Sequence, residues 1–391
     1  MNQAVIVSAV RTPIGSFNGA LSSLSAVQLG SSVIAEAVKR SSILREKVQE
    51  VIMGNVLSAG LGQAPARQSA IDAGLPQSVH CLTINKICGS SLKAVMLAAQ
   101  AIRADDVETV VAGGMESMSN APYLLEKARM GYRMGDGRIV DSMIKDGLWD
   151  AYENRHMGAL AERCSRKFQI TREMCDRFAE QSYGKAMDAQ KKGLFDDEIV
   201  PLEGIVKKEN VHITEDEEPK KFDSKKAANL ASIFEAGGTV TAANASSISD
   251  GASALVITSE RRANTMEVAP LARIVGYISV SGNPSCFDMT PVAAIHGLLK
   301  KMNMNIDEVD LFEINEAFSV SSLSVIRELD IDPEKVNVHG GSVALGHPIG
   351  ATGARCLTTL LHAMRMKRNR FGIVAICIGG GEGVALMVEC P

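Results

Sequence analysis

Residues 89–104 read GSSLKAVMLAAQAIRA and are followed at 107–114 by VETVVAGG; residues 350–366 read GATGARCLTTLLHAMRM and are followed at 372–381 by GIVAICIGGG. In each stretch a helix-patterned segment rich in small residues, Gly89 to Ala104 and Gly350 to Met366, leads into an apolar strand, Val107 to Ala112 and Gly372 to Ile378, closed by glycines. The same order at two distant places predicts an internally duplicated fold. Further apolar runs, Ala4 to Val10 and Ala254 to Thr258, alternate with helix-period segments, the pattern of layered α/β proteins whose strands are buried on both faces.

A different region lies between the halves. His156 to Phe168 is helical in pattern, and Thr171 is the expected N-cap of a helix running to Gly193. Residues 207–226, KKENVHITEDEEPKKFDSKK, are mostly charged. Such a run is a solvated hairpin or loop, or else Lys220, Lys221, Lys225 or Lys226 meets the phosphates of a nucleotide-bearing substrate. A chain of 391 residues holds two or three compact units. With 46% hydrophobic and 22% charged residues the composition is that of a soluble globular protein. The formal net charge of -4 offers no basic field for a polyanion, which argues against nucleic acid as the main partner. Eight cysteines are spread along the chain with no CxxC spacing, as expected of reduced thiols rather than zinc or redox sites. No basic n-region precedes an apolar stretch, no run of about 18 apolar residues could span a membrane, and Glu389-Cys390-Pro391 gives no peroxisomal address. A cytoplasmic location is the expectation.

Cys88, in NKICGSS (85–91), stands directly before the first small-residue helix. Backbone N–H groups at a helix start favour an anion, so a thiolate there could attack a thioester carbonyl. A lone cysteine is more often a buried small residue. Three further segments set polar reactive residues beside glycines or helix starts: Asn315-Glu316-Ala317-Phe318 after the strand Leu311 to Ile314, GGSVALGHPIGATG at 340–353, and CIGGGEG at 377–383. The glycines allow close backbone approach to a ligand. A dinucleotide fold would need a helix and more strands after Gly379 to Gly383, and only one strand's length remains.

These four segments, with RTPIGSF at 11–17 and GTVTAANAS at 238–246, resemble the thiolase family over essentially the whole chain. The resemblance implies two similar core domains in an α-β-α-β-α layering with an inserted loop domain: residues 1–118 with 247–270, an insertion at 119–246 for coenzyme A and oligomer contacts, and 271–391. It implies that Cys88 is acylated and that His347 takes its thiol proton. His347, with a water held by Asn315, would form one oxyanion hole, and the N–H groups of Cys88 and Gly379 a second. Cys377 would be the base that removes the methyl proton of a second acetyl-CoA and later returns a proton to the departing CoA. An ordinary thiol pKa near 8.5 suits this work if the site lowers it.

The resemblance also places His156 and Ser246 against the pantetheine arm, Met157 at a narrow acyl pocket, and Leu148, Phe234, Ala317 and Phe318 at the coenzyme A site. HMG at 156–158 and DSMIKDGL at 141–148 look like the biosynthetic subgroup, and YRMGD at 132–136 resembles its tetramerisation loop, implying a homotetramer built as a dimer of dimers. The implied reaction is reversible Claisen condensation of two acetyl-CoA to acetoacetyl-CoA and CoA, without metal or tightly bound cofactor. The sequence departs from the family pattern at Ser91, at His339, and at Phe287-Asp288-Met289-Thr290-Pro291, which lacks Met-Gly-x-Gly-Pro. Phe287 falls near the acyl end and could narrow it. Alternatives are a degradative 3-ketoacyl-CoA thiolase of broader chain length, and a catalytically silent acyl-CoA binding paralogue. A ketoacyl synthase would not need the second thiol, Cys377.

Overall fold

The computed structural model describes residues 2–206 and 209–391. The first half is built of β1 (Ala4–Arg11), α1 (Ala26–Arg40), β2 (Glu50–Gly54), α2 (Pro65–Asp72), β3 (His80–Ile84), α3 (Ser90–Arg103) and β4 (Thr109–Ser117). The chain then leaves the sheet for a long segment containing α4 (Met157–Phe168) and α5 (Arg172–Lys191). It returns as β5 (Ser249–Ser259) and continues through β6 (Ala272–Ser281), α6 (Thr290–Met302), β7 (Leu311–Ile314), α7 (Ser319–Leu329), α8 (Thr352–Lys367), β8 (Phe371–Ile378) and β9 (Glu382–Glu389).

Nine of these strands lie along one path, β7-β8-β9-β6-β1-β5-β4-β2-β3. Outward from the centre, β1, β5 and β4 are successively antiparallel and β4, β2 and β3 parallel. In the other direction β6, β9 and β8 are antiparallel and β7 is parallel to β8. A parallel bridge from Phe312 to Val336 stands where the fifth strand would be. The two halves therefore repeat one topology, joined by the antiparallel pairs Val5 with Arg273 and Ile6 with Ala272.

Alternation along the strands sets the layers. Val110 and Ala112, Leu255 and Ile257, Val374 and Ile376 all face the same core as Leu92 and Val95 of α3 and Leu357 and Leu361 of α8. Val111, Val256 and Met53 turn the other way, onto α1 and α2, and Ile373, Ala375 and Met387 onto α6 and α7. Helices α3 and α8 thus form a central layer covered on both sides, which explains why their sequences lack a wide polar face. Their approach is close: a Cβ added to Gly353 would lie 2.6 Å from Leu92 Cβ. The Ser91 hydroxyl accepts the Ala354 N–H at 2.9 Å, so this family departure pins one central helix to the other.

Three local expectations need correction. Gly113 and Gly114 do not end a strand; β4 runs through them to Ser117. A Cβ on Gly114 would meet Ser91 Cβ at 2.7 Å, so the glycine serves helix-sheet contact rather than a turn. The second central helix begins at Thr352, not Gly350. The hairpin in the charged region pairs Leu202–Val206 with Glu209–Ile213, upstream of most of the run, and Lys207 and Lys208 lie outside the described residues. Gly380 and Gly381, by contrast, do make the turn between β8 and β9, at φ of 86° and 78°. Arg11 of the RTPIGSF stretch is fully buried and ties the end of β1 to the long segment through Glu198 at 2.5 Å and Asp216 at 2.6 Å. Breaking such a pair from one side typically costs about 3–5 kcal/mol.

Candidate active site

The duplication brings the start of α3 and the approach to α8 to the same end of the central layer. Cys88 precedes α3, His347 precedes α8, and Cys377 and Gly379 come from the end of β8 and the turn after it. All four line one cavity of about 530 Å³. Leu148, His156, Met157, Phe234, Ser246, Ala317 and Phe318 line it as well, together with Phe287. Its deep wall is the buried set Cys377, Phe287, Ala317, Phe318 and Ile349, whereas Phe17 and Ile233 are 45% and 55% exposed and mark the mouth. Of the sequence candidates only Asn315 stands behind the wall, buried against β8 through its N–H to Ala375 O at 3.0 Å.

The turn carrying Cys88 is held by its own side chains. Asn85 Oδ1 accepts the Ile87 N–H at 2.9 Å, and Ser90 Oγ accepts from Lys86 N–H at 2.8 Å while donating to Ile87 O at 2.6 Å. Ile87 is left-handed, φ 45°, a conformation a β-branched residue adopts only when its surroundings impose it. Cys88 keeps part of its surface open to the cavity. The protein packed around its sulfur pushes the thiol up to about 12, with the N–H groups of Cys88 and Gly379 pulling the other way. The expectation that the helix start would favour a thiolate is corrected: desolvation outweighs the N–H groups, and the resting group is a neutral thiol. Cys377 is raised well above its ordinary value too, by burial first and then by Cys88 and Asp288, so the site does not lower this thiol either.

His347 supplies the complementary property. Burial, reinforced by the Arg355 guanidinium, pushes its imidazolium down to about 3. The Thr352 hydroxyl donates to Pro348 O at 2.9 Å and so accepts from His347 Nδ1, 2.6 Å away. That network assigns the proton to Nδ1 and leaves Nε2 as a free lone pair, buried and without a protein partner. Thr352 was not singled out in the sequence, although its place five residues after His347 at the first turn of α8 is a usable signal. Asn315 is oriented similarly: its Oδ1 accepts from Ser342 at 2.6 Å, Ser342 accepts from Arg355 at 2.8 Å, and Arg355 pairs with Glu313 at 2.7 Å. The Nδ2 donor of Asn315 is left unspent. Glu116, at the end of β4, accepts from Val56, Leu57 and Gly350 N–H at 2.9–3.1 Å and so ties the loop after His347 to the opposite half.

The outer part of the cavity comes from the long segment. His156 caps α4, its Nδ1 accepting the Gly158 N–H at 3.1 Å, and stacks on Phe234 with ring centroids 4.7 Å apart. Gly158 is glycine because the Phe234 ring occupies the space a Cβ would take. Met157 stands over Gly379, its Sδ 3.6 Å from where a Cβ would be. Ser246 Oγ donates to Ala317 O at 2.9 Å. Of the four lysines raised in the sequence, Lys221 lines the cavity, where Glu217 at 3.0 Å and Glu218 at 3.5 Å offset its charge. Lys220 pairs with Glu215 and Lys226 with Asp223. His339 is buried edge-on to Phe195, ring centroids 6.0 Å apart, and does not line this cavity.

Comparison with known proteins agrees with this arrangement. The family model "Thiolase, N-terminal domain" matches residues 4–261 and "Thiolase, C-terminal domain" residues 268–390. The chain is 50% identical over 391 residues to the acetyl-CoA acetyltransferase of Escherichia coli (strain K12), covering 100% of this chain and 99% of that one. It is 49% identical over 393 residues to the acetyl-CoA acetyltransferase of Cupriavidus necator, with 100% of both chains covered. Among solved structures, Acat5 thiolase from Ascaris suum in complex with coenzyme A superposes with a TM-score of 0.94 at 44% identity, covering 100% of both chains. The Bacillus anthracis acetyl-CoA acetyltransferase gives 0.98 at 41%, covering 100% of this chain and 99% of that one. With one topology used twice, Cys88 and His347 set before equivalent helices, and both family models matched in sequence along nearly its full length, the chain belongs to the thiolase family.

Proposed function

We propose that this protein is an acetyl-CoA C-acetyltransferase, condensing two acetyl-CoA to acetoacetyl-CoA and CoA and running the reverse thiolysis. The observation that carries the reading is the convergence of two neutral thiols and one neutral imidazole on a single cavity. His347 Nε2 takes the Cys88 proton as the sulfur attacks the thioester carbonyl. The N–H groups of Cys88 and Gly379 receive the oxyanion, donors of a kind worth about 3–4 kcal/mol each. Cys377 gives its proton to the departing CoA and becomes the thiolate that removes a methyl proton from the second acetyl-CoA. The enolate oxygen is received by His347 Nε2–H and a water on Asn315 Nδ2, and the enolate carbon attacks acetyl-Cys88. Cys88 leaves as a thiolate, recovers its proton from His347, and every group returns to its starting state. A raised Cys377 thiol fits this cycle, because it is a ready acid first and a strong base afterwards.

Coenzyme A thioesters enter as substrates, their pantetheine arm along His156 and Ser246 and their phosphates toward Lys221, with no resident cofactor or metal. The exposed Met130 and Met134, at 90% and 97%, flank Tyr132 and support a homotetramer through this loop. No described helix is long and apolar enough to cross a membrane, and a cytoplasmic location fits that.

Acyl-chain length separates this reading from a degradative thiolase. Phe287 meets Phe318 edge-on at 6.4 Å and closes the deep end of the cavity. Steady-state thiolysis should therefore run on acetoacetyl-CoA with kcat/KM at least about 10²-fold above that on 3-ketohexadecanoyl-CoA, since a closed pocket rejects the longer chain sterically. Comparable values on the two substrates would refute the short-chain assignment, and no CoA-dependent cleavage of either would refute the enzyme.

A further inference from the structure

Phe287, on the wall of the acyl end, is followed by Asp288, where the Met-Gly-x-Gly-Pro pattern would have its first glycine. Asp288 is buried, 1% exposed. One carboxyl oxygen accepts from the Ser321 hydroxyl, the Cys164 thiol reaches the same carboxyl, and Oδ2 has no protein partner. Asp288 faces a second, smaller cavity of about 100 Å³, shared with Arg163, Cys164, Lys167 and Cys286 and lying behind the acyl wall. Cys164, Phe287, Phe318 and Cys377 pack in one cluster, Cys164 lining the smaller cavity and the other three the larger. None of the chemistry assigned above uses this carboxyl.

We propose that Asp288 is a positioning residue for Cys377, its carboxylate setting from behind the cavity wall how tightly that thiol holds its proton. This rests on the reading of Cys377 as the base. In a medium of low polarizability a buried charge is felt across neighbouring side chains, and Asp288 is, after burial and Cys88, what pushes the Cys377 thiol up. The other ionisable groups facing Cys377 are Cys88 before α3 and Cys164 on α4, both neutral at rest, and His347 on the shared cavity, an unprotonated imidazole. Arg163, Lys167 and Cys286 line the small cavity. Asp288 itself is pushed up to about 7 by burial, against its bond from Ser321. It is therefore ionised throughout the pH range in which Cys377 titrates, and removing its charge must lower the Cys377 thiol. The consequence for catalysis is a Cys377 that, once deprotonated, is a stronger base toward a methyl C–H than an ordinary thiolate.

The test uses the full-length protein in a Cys88→Ser background, so that of the two cavity thiols only Cys377 reacts. Alkylation of Cys377 by iodoacetamide is followed across pH by peptide mapping, with and without Asp288→Asn, which keeps the side-chain shape and the bond from Ser321. The pH midpoint should fall by about one unit, giving about tenfold faster alkylation at a fixed pH below it. Asp288→Gly should shift it in the same direction and stands in if the Asn variant does not fold. An unchanged or raised midpoint overturns the proposal, as does a change in Tm with no change in midpoint, the mark of a purely structural residue. Solvent deuterium exchange into the acetyl-CoA methyl, measured with Cys377→Ser in otherwise wild-type protein, checks the underlying reading separately. Exchange lost there with an Asp288 midpoint unmoved sinks this proposal alone; exchange retained sinks the assignment of Cys377 as the base.

Discussion

Replacing His347 with alanine should slow acetylation of Cys88 by about 10³- to 10⁴-fold at pH 8, and should change its pH dependence as well as its rate. The magnitude comes from the thiol. With Cys88 pushed up to about 12, only about one thiol in 10⁴ is ionised at pH 8 without a base beside it. In the proposed cycle the wild-type proton goes to His347 during attack, so no prior ionisation is needed. The sign of the pH effect follows. His347 is pushed down to about 3, so it is already an unprotonated base over the whole range from pH 5 to 9, and Cys88 is a thiol over the same range. Single-turnover acetylation by wild-type enzyme should therefore be nearly flat with pH, and rapid quench measurements on His347→Ala should rise about tenfold per pH unit. A flat profile in the variant would mean that another group takes the proton. Thr352→Val is the milder form of the same experiment: it removes the acceptor that fixes the tautomer, and it should cost less than loss of the ring.

Replacing Cys377 with alanine should split the reaction. Condensation should fall by at least about 10⁴-fold, because the other basic side chains on the cavity besides His347, namely His156, Glu218 and Lys221, belong to its outer part, while acetyl transfer from acetyl-CoA to Cys88 should survive more slowly. His347 cannot substitute, since it is needed as the donor to the enolate oxygen. The two half-reactions are separable by measuring CoA release in a single turnover against acetoacetyl-CoA formed in the steady state. Equal losses in both would place Cys377 in the first half-reaction alone, and unimpaired condensation would remove it from the chemistry.

Much of this was legible before any coordinates. Small-residue helix, apolar strand and glycines occur in the sequence twice because the core buries the helix and both strand faces twice, and the topology repeats accordingly. Cys88, His347, Cys377 and Gly379 stand beside glycines or helix starts, and those positions do meet at one cavity. Other features depend on tertiary packing and left no trace in local sequence. The helix start at Cys88 argues for a thiolate, but desolvation of the sulfur is a property of everything packed around it. The Ser342, Arg355 and Glu313 series behind Asn315 joins residues up to 42 apart in sequence, with ordinary residue types at ordinary positions. Gly113 and Gly114 have the look of turn glycines. Only the packing of α3 and the Gly350 loop against Gly114, and of the Ser253 and Ala254 backbone against Gly113, shows that they are there to let backbone approach.

The central claim is that acyl transfer passes through the Cys88 sulfur, and the most direct measurement is to trap that thioester. Cys377→Ala protein incubated with acetyl-labelled acetyl-CoA, quenched in acid and mapped by peptide mass, should carry about one acetyl group per chain. The label should sit on the peptide containing Cys88 and be released by added CoA. Label on another residue, or none on Cys88 while CoA is still released, would contradict the account.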